Sequence, residues 1–131
     1  MTNVKNLEFF APDEKNNYCI FPEQYENDKT IAFHGTSMQF FESIINSGLI
    51  SAKFLGSGEL TSVSFVMNSN AALAHVCERY LEFDRVIFAV SLESIKKETI
   101  VLSTSLFYIH DPNPQPKIIA YCVVPKDYQL L

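Results

Sequence analysis

Val86-Ile87-Phe88-Ala89-Val90 is an apolar run with no polar interruption, and Ile118-Ile119-Ala120-Tyr121-Cys122-Val123-Val124 is a second. Both are rich in β-branched and aromatic residues and too short for a buried helix, so each is expected as a central strand of a sheet. Pro125 stops the second run, because proline has no amide hydrogen for a strand ladder. Asp111-Pro112-Asn113-Pro114-Gln115-Pro116 lies before it, and its alternate prolines predict a rigid loop. Thr99–Leu102 and Leu106–Ile109 read as shorter strands between the two runs.

Upstream, Thr30–Phe33 reads as another buried strand and leads directly into His34-Gly35-Thr36-Ser37. An imidazole at the tip of a strand is held by a rigid frame. A glycine beside it lets backbone approach a ligand closely, and the two hydroxyls can cap a following helix. Thr36-Ser37-Met38-Gln39 has the capping-box spacing, with Gln three residues after the hydroxyl. Phe40, Phe41, Ile44 and Ile45 then recur at helical spacing, and Gly48 is a natural helix stop. The unit predicted is strand, polar turn, helix, with a small polar pocket at the turn. Ser51–Leu60, with Gly56-Ser57-Gly58-Glu59, is loop chemistry. Thr61–Met67 alternates as a strand. Asn68-Ser69-Asn70 offers N-caps for a helix whose Leu73, Val76, Cys77, Tyr80 and Leu81 form an apolar face.

The remaining 30 positions or so at the start, residues 1–29, read as an irregular arm packed on a single domain of residues 30–131, because Pro12, Pro22 and polar clusters cut its apolar pieces. The sum is an α+β chain with two main helices, expected on one side of a split, mostly antiparallel sheet. At 131 residues and 47% apolar composition it can bury a real core. Its formal charge of −5 disfavours a general grip on nucleic acid. Cys19, Cys77 and Cys122 are scattered and odd in number, which speaks against a disulfide framework or a zinc site; Cys77 and Cys122 fall in apolar patterns and are expected in the core. His34, His75 and His110 are too far apart in sequence to argue a metal site, and His75 and His110 are expected at the surface. No apolar leader or membrane-length run is seen, so no membrane partner is expected and the cytoplasm is the expected location, with a secreted effector the alternative.

In the succession of Phe33-His34-Gly35-Thr36-Ser37, a short helix ending at Gly48-Leu49, the strand Ser62-Val63-Ser64-Phe65-Val66, and Ser69-Asn70-Ala71-Ala72-Leu73 opening a helix, the chain resembles the ADP-ribosyltransferase superfamily. The likeness is to its histidine-first branch, which includes poly(ADP-ribose) polymerases, RNA 2′-phosphotransferases and rifamycin-inactivating ADP-ribosyltransferases, and it spans about Ile31 to Pro125. The resemblance implies an ADP-ribosyltransferase-like fold and NAD as substrate. His34 would bond the ribose, the backbone of Gly35 would pair with the nicotinamide carboxamide, and Thr36 would support the histidine or the adenine-side ribose. The implied NAD-binding set is His34, Gly35, Thr36, Ser64, Ser69 and Tyr80, and the implied catalytic set is His34, Ser64 and Glu98. Cleaving the nicotinamide–ribose bond passes through an oxocarbenium-like state, which needs orientation and a nearby negative charge more than a strong nucleophile.

Two positions depart from the family pattern. Ser64 stands where an aromatic or imidazole usually packs on the nicotinamide, and only Tyr80 or Tyr108 could substitute. Lys117 stands near where poly(ADP-ribose) polymerase relatives carry a glutamate. The rifamycin-type members place an acid elsewhere, and Glu98 falls at that position with a one-residue gap, with Glu93 a weaker rival. The expected acceptor is a protein ahead of a nucleic acid or small molecule. Two further readings stay open: a catalytically degenerate module of the same fold that binds a nucleotide or a partner protein, and an RNA 2′-phosphotransferase-like enzyme in which Arg79, Arg85 and Lys117 meet phosphate. Arg79 or Arg85, if turned into the pocket, could also meet a pyrophosphate.

Overall fold

The computed structural model describes residues 4–16, 19–48, 62–79, 82–95, 100–102, 107–110 and 116–129. Glu98, Tyr80, Lys96-Lys97 and the Ser51–Leu60 loop lie outside these residues, as do positions 103–106 and 111–115 of the later loops.

The fold is α+β. Strand β2 (Ile31–Ser37), β4 (Arg85–Ser91) and β7 (Lys117–Val124) form an antiparallel set, and β1 (Lys5–Leu7) joins its far edge in parallel, giving the order β1-β7-β4-β2. A second, antiparallel sheet has the order β3-β6-β5, from Ser62–Phe65, Phe107–His110 and Ile100–Leu102. Among the described residues the two sheets meet at a single bridge, where Phe33 N donates to Val66 O at 2.8 Å and Val66 N donates to Phe33 O at 2.9 Å. Beyond that bridge the sheets part, and the sheet is split at the level of His34.

The two apolar runs are the middle strands, β4 and β7. Residues Arg85–Val90 of β4 are all buried. Successive side chains on a strand face opposite ways, so a strand with no polar alternation needs cover on both faces. Ile87 and Ala89 pack with Phe33, Leu73, Val76 and Cys122 under helix α3 (Ser69–Arg79), with Ile20 and Phe21 completing that layer. Val86, Phe88 and Val90 pack on the other side with Ala32, Phe65 and Ile44, against helix α2 (Phe41–Ser47). The helices therefore flank the main sheet on opposite faces, which corrects the expectation of helices on one side.

β2 also corrects the sequence reading. His34-Gly35-Thr36-Ser37 is not a turn after the strand but its second half, in continuous register with β4 from Ile31↔Ser91 to Ser37↔Arg85. The ladder with β4 outweighs the turn character of glycine and serine here, as neighbours routinely override local propensity in sheets. The helix start moves with it. Thr36 is buried inside the strand; Ser37 is the cap, accepting from Gln39 N at 3.3 Å ahead of a single 3-10 turn, Met38–Phe40, that leads into α2. Gly48 ends α2 at φ 82°, with its amide on Ile44 O at 2.7 Å. That left-handed backbone is costly for any residue with a Cβ.

The arm is tied to α3. Helix α1 (Glu23–Glu26) presents the Glu26 carboxylate to the first turn of α3. It accepts from Ser69 N at 3.1 Å, from the Ser69 hydroxyl, and from Phe21 N at 3.3 Å. An anion at a helix N-terminus satisfies amides that have no partner within the helix and meets the positive end of its dipole. Asn68 completes the cap by accepting from Ala71 N at 2.8 Å.

Candidate functional site

A cavity of about 160 Å³ opens where the two sheets part. Its walls are Phe33, His34 and Gly35 from β2, Ser64, Phe65 and Val66 from β3 and the bridge, and Ala71, Ala72 and His75 from α3. A cavity thus opens beside His34 and Gly35, and it lies in the fork of a split sheet and not at a strand tip.

His34 Nδ1 is 2.7 Å from Ser64 O. A carbonyl only accepts, so Nδ1 carries the proton, and in the neutral ring Nε2 is an acceptor. The bond spans the fork and fixes the imidazole, which also sits on Phe65 at a ring-centroid distance of 5.7 Å. Burial pushes the His34 pKa below its ordinary value of 6.5; the Ser64 carbonyl opposes this by favouring the charged ring, and nearby His75 lowers it further. The imidazole is thus held neutral near pH 7, with Nε2 unprotonated.

This shift has a consequence for stability. The folded pKa lies below the unfolded one, so above about pH 6.5 both states are neutral and the group costs nothing. As pH falls through that value the unfolded chain binds a proton that the folded His34 resists, and stability drops until the folded pKa is passed. Urea midpoints are expected to fall between about pH 7 and about pH 5 in the wild type, and to fall less steeply in His34→Gln. Equal slopes in both proteins would show that His34 is not the group responsible.

Gly35 has two structural properties. A Cβ built on it would come 2.5 Å from Val76 Cγ1 and 3.1 Å from the Ala72 carbonyl oxygen. The glycine is thus required by the close approach of α3, because a methyl there would have to displace a stiff β-branched side chain and a backbone oxygen. Its polar atoms face elsewhere. Along a strand, the N–H and C=O of alternate residues point to the same edge. Phe33 exchanges both its bonds with Val66, so Phe33 and Gly35 both direct their backbone groups away from β4. The same alternation holds at both ends of the ladder: Leu92 N donates to Thr30 O at 2.7 Å, and Met38 N donates to Asp84 O at 2.8 Å, so even-numbered positions face β4. Among the described residues no strand pairs with β2 at Gly35 on that outer edge. One N–H and one C=O, side by side, are thereby presented in the cavity wall.

The other expected site residues divide. Ser64 lines the cavity, and its carbonyl is what holds His34. Thr36 is buried opposite Val86 and is not among the described residues of the wall. Ser69 is fully buried; its hydroxyl donates to Glu26 and accepts from Ile20 N at 3.2 Å, so it ties the arm to α3. Glu98 and Tyr80 lie outside the described residues. Glu93 is exposed after β4, and Lys117 is exposed at the start of β7, opposite Ser91. Arg85 is buried at the far end of β4, with Nη2 on Tyr128 O at 2.7 Å and Nη1 on Lys126 O at 3.4 Å, and it does not face the cavity.

The wall residue that sequence reasoning missed is His75. It is exposed, as expected, yet it also lines the cavity beside His34. Its signal was its position one helical turn after Ala71 and Ala72, small residues that leave room beneath it. Among the described residues no acidic side chain lines the cavity, no group of three or more His, Cys, Asp or Glu could hold a metal ion, and no helix is long and apolar enough to cross a membrane. Cys122 is fully buried and its thiol is pushed up to about 12 by burial, so it is neutral and inert. No protein-family model matches the chain, and no curated protein matches it significantly.

Proposed function

We propose that the fork cavity receives the nicotinamide end of NAD and that the chain is an ADP-ribosyltransferase. The observation that carries this is the outward-facing N–H and C=O of Gly35 in the cavity wall beside His34. A primary carboxamide has one donor edge and one acceptor edge, and it pairs with such a backbone edge as a neighbouring strand would. Size agrees: an apolar protein cavity of about 150 Å³ holds a benzene-sized ring, and this one is about 160 Å³. With Nδ1–H committed to Ser64 O, His34 Nε2 accepts from a ribose hydroxyl and fixes the sugar relative to the ring. Holding the scissile bond in a reactive pose is the larger part of what this reaction asks of a protein.

The second reading, a binding module that has lost turnover, is favoured by one observation: the wall has no carboxylate among the described residues to stabilise a developing cation. Glu98 is the residue proposed to supply it. Purified protein incubated with NAD is expected to release nicotinamide, followed by chromatography, and NAD is expected to raise the melting temperature. A thermal shift without nicotinamide release selects the binding module. The absence of both rejects the NAD site. The acceptor proposed is a protein.

A further inference from the structure

Resting on the NAD reading above, we infer that Glu26, an arm residue outside the cavity, is a positioning residue for it: its carboxylate sets the gap between α3 and β2 that the nicotinamide ring enters. The arm backs two of the cavity walls. Behind the β2 wall, Phe21 is buried, and its ring meets that of wall residue Phe33 at 5.1 Å between centroids. The α3 wall starts at Ala71, just after fully buried Ser69 opens the helix. Glu26 joins the two. It accepts from Phe21 N at 3.3 Å, from Ser69 N at 3.1 Å and from the Ser69 hydroxyl. The same hydroxyl accepts from Ile20 N at 3.2 Å, so Ile20 and Phe21 are both laced to the helix start.

This junction suits a carboxylate and little else. All its partners on Glu26 are donors, and an ionised carboxylate offers acceptor sites only. A side-chain amide would turn its own N–H groups against one of them. Helix α1 buries none of its four residues, so packing alone does not fix where Glu26 stands. The gap it governs tolerates little movement. A Cβ on Gly35 would come 3.1 Å from Ala72 O, so β2 and α3 are already in contact beside the cavity. Ala71 and Ala72 carry no side chain that could turn to refill space if the helix shifted. A first turn released from Glu26 leaves the buried Ser69 amide without its acceptor, and the turn must move to find another. That movement displaces the wall.

The test measures the dissociation constant of NAD by calorimetry for the wild type, Glu26→Gln and Glu26→Asp, each well below its melting temperature. Glu26→Asp keeps the charge but has a shorter reach, and it carries the test if the neutral variant fails to fold. Each variant is expected to bind NAD about tenfold more weakly, within the usual range of coupling between separate sites. Phe9→Leu is the control. Phe9 anchors the arm at its other end, where its ring meets Tyr128 at 5.0 Å between centroids, and it is not a wall residue. Phe9→Leu is expected to lower the urea midpoint and leave the affinity unchanged, because it loosens the arm without touching Ser69. Wild-type affinity in the Glu26 variants, or an equal loss in Phe9→Leu, overturns the positioning role and leaves the dinucleotide site standing. Failure of NAD to bind the wild type overturns the two together.

Discussion

His34→Ala is expected to reduce nicotinamide release by at least about 100-fold, the loss seen when a positioned reacting group shifts by about 1 Å. The effect has two parts. The substitution removes the Nε2 acceptor proposed for the ribose, and it removes the Nδ1–H that bonds Ser64 O across the fork. The second loss is structural. The bridge at Phe33 and Val66 is the one ladder contact between the two sheets among the described residues, and His34 adds the next tie beyond it. Losing a partly buried hydrogen bond of this kind costs about 1–2 kcal/mol. Stability and activity thus fall together, and the two are separated by a second substitution. His34→Asn can keep a donor toward Ser64 O with no imidazole acceptor. It is expected to recover most of the urea midpoint and little of the turnover. Turnover within a few fold of the wild type in His34→Ala would remove the histidine from the chemistry altogether.

What the sequence discloses depends on whether a feature is made by its own residues or by its neighbours. The apolar runs at Val86–Val90 and Ile118–Val124 are legible as central strands because their composition alone excludes an exposed position. The helix Ser69–Arg79 is legible because its apolar spacing needs no partner to be read. The second half of β2 is not, because His34-Gly35-Thr36-Ser37 has turn composition, and only the ladder with β4 holds it extended. The packing role of Gly35 is not legible for a related reason. A glycine beside a histidine suggests ligand approach, and it does not disclose the close approach of Val76 and Ala72 that the fold also requires there. The outward direction of its peptide groups, on which the proposed carboxamide contact rests, follows from the bridge between Phe33 and Val66, which joins residues far apart in the chain. His75 was read as a surface residue from its polar side of the helix. It is at the surface, but the fork brings β3 up to the same helix edge. The opposite placement of the two helices could have been inferred from β4, since a strand that is apolar at every successive position from Val86 to Val90 has no face to leave in water.

Arg85→Ala is expected to destabilise the fold by about 3 kcal/mol, from the loss of a large buried side chain and the cavity it leaves. Arg85 is 1% exposed and is the largest fully buried side chain among the described residues. Its guanidinium reaches Tyr128 O at 2.7 Å, Lys126 O at 3.4 Å and Cys77 Sγ at 3.5 Å. It therefore joins the end of β4 to α3 and to the segment after β7. That segment has other ties: Lys126 N donates to Asp84 Oδ1 at 2.9 Å, and the Tyr128 ring meets Phe9 edge-on at 5.0 Å between centroids. Through Tyr128 the arginine indirectly holds the arm. Hydrogen bonds from a charged group contribute about 1.5–3 kcal/mol, but the carbonyl of exposed Lys126 can turn to water when the arginine is removed, which offsets part of that loss. The result stays near the cavity cost, a large share of the roughly 5–15 kcal/mol that a domain has in total. Arg85→Met refills most of the volume and removes a buried charge, whose desolvation is itself costly. It is expected to lose only about 1 kcal/mol, since volume-conserving changes are tolerated best. Both variants should lose hydrogen-exchange protection at Tyr128, whose amide bonds Pro125 O at 3.1 Å within the segment that Arg85 holds. Urea denaturation with unchanged m-values measures the two stabilities. If Arg85→Met is as damaging as Arg85→Ala, the hydrogen bonds and not the packing hold this end of the sheet. If neither moves the midpoint, the tail is anchored by Asp84 and Phe9 alone.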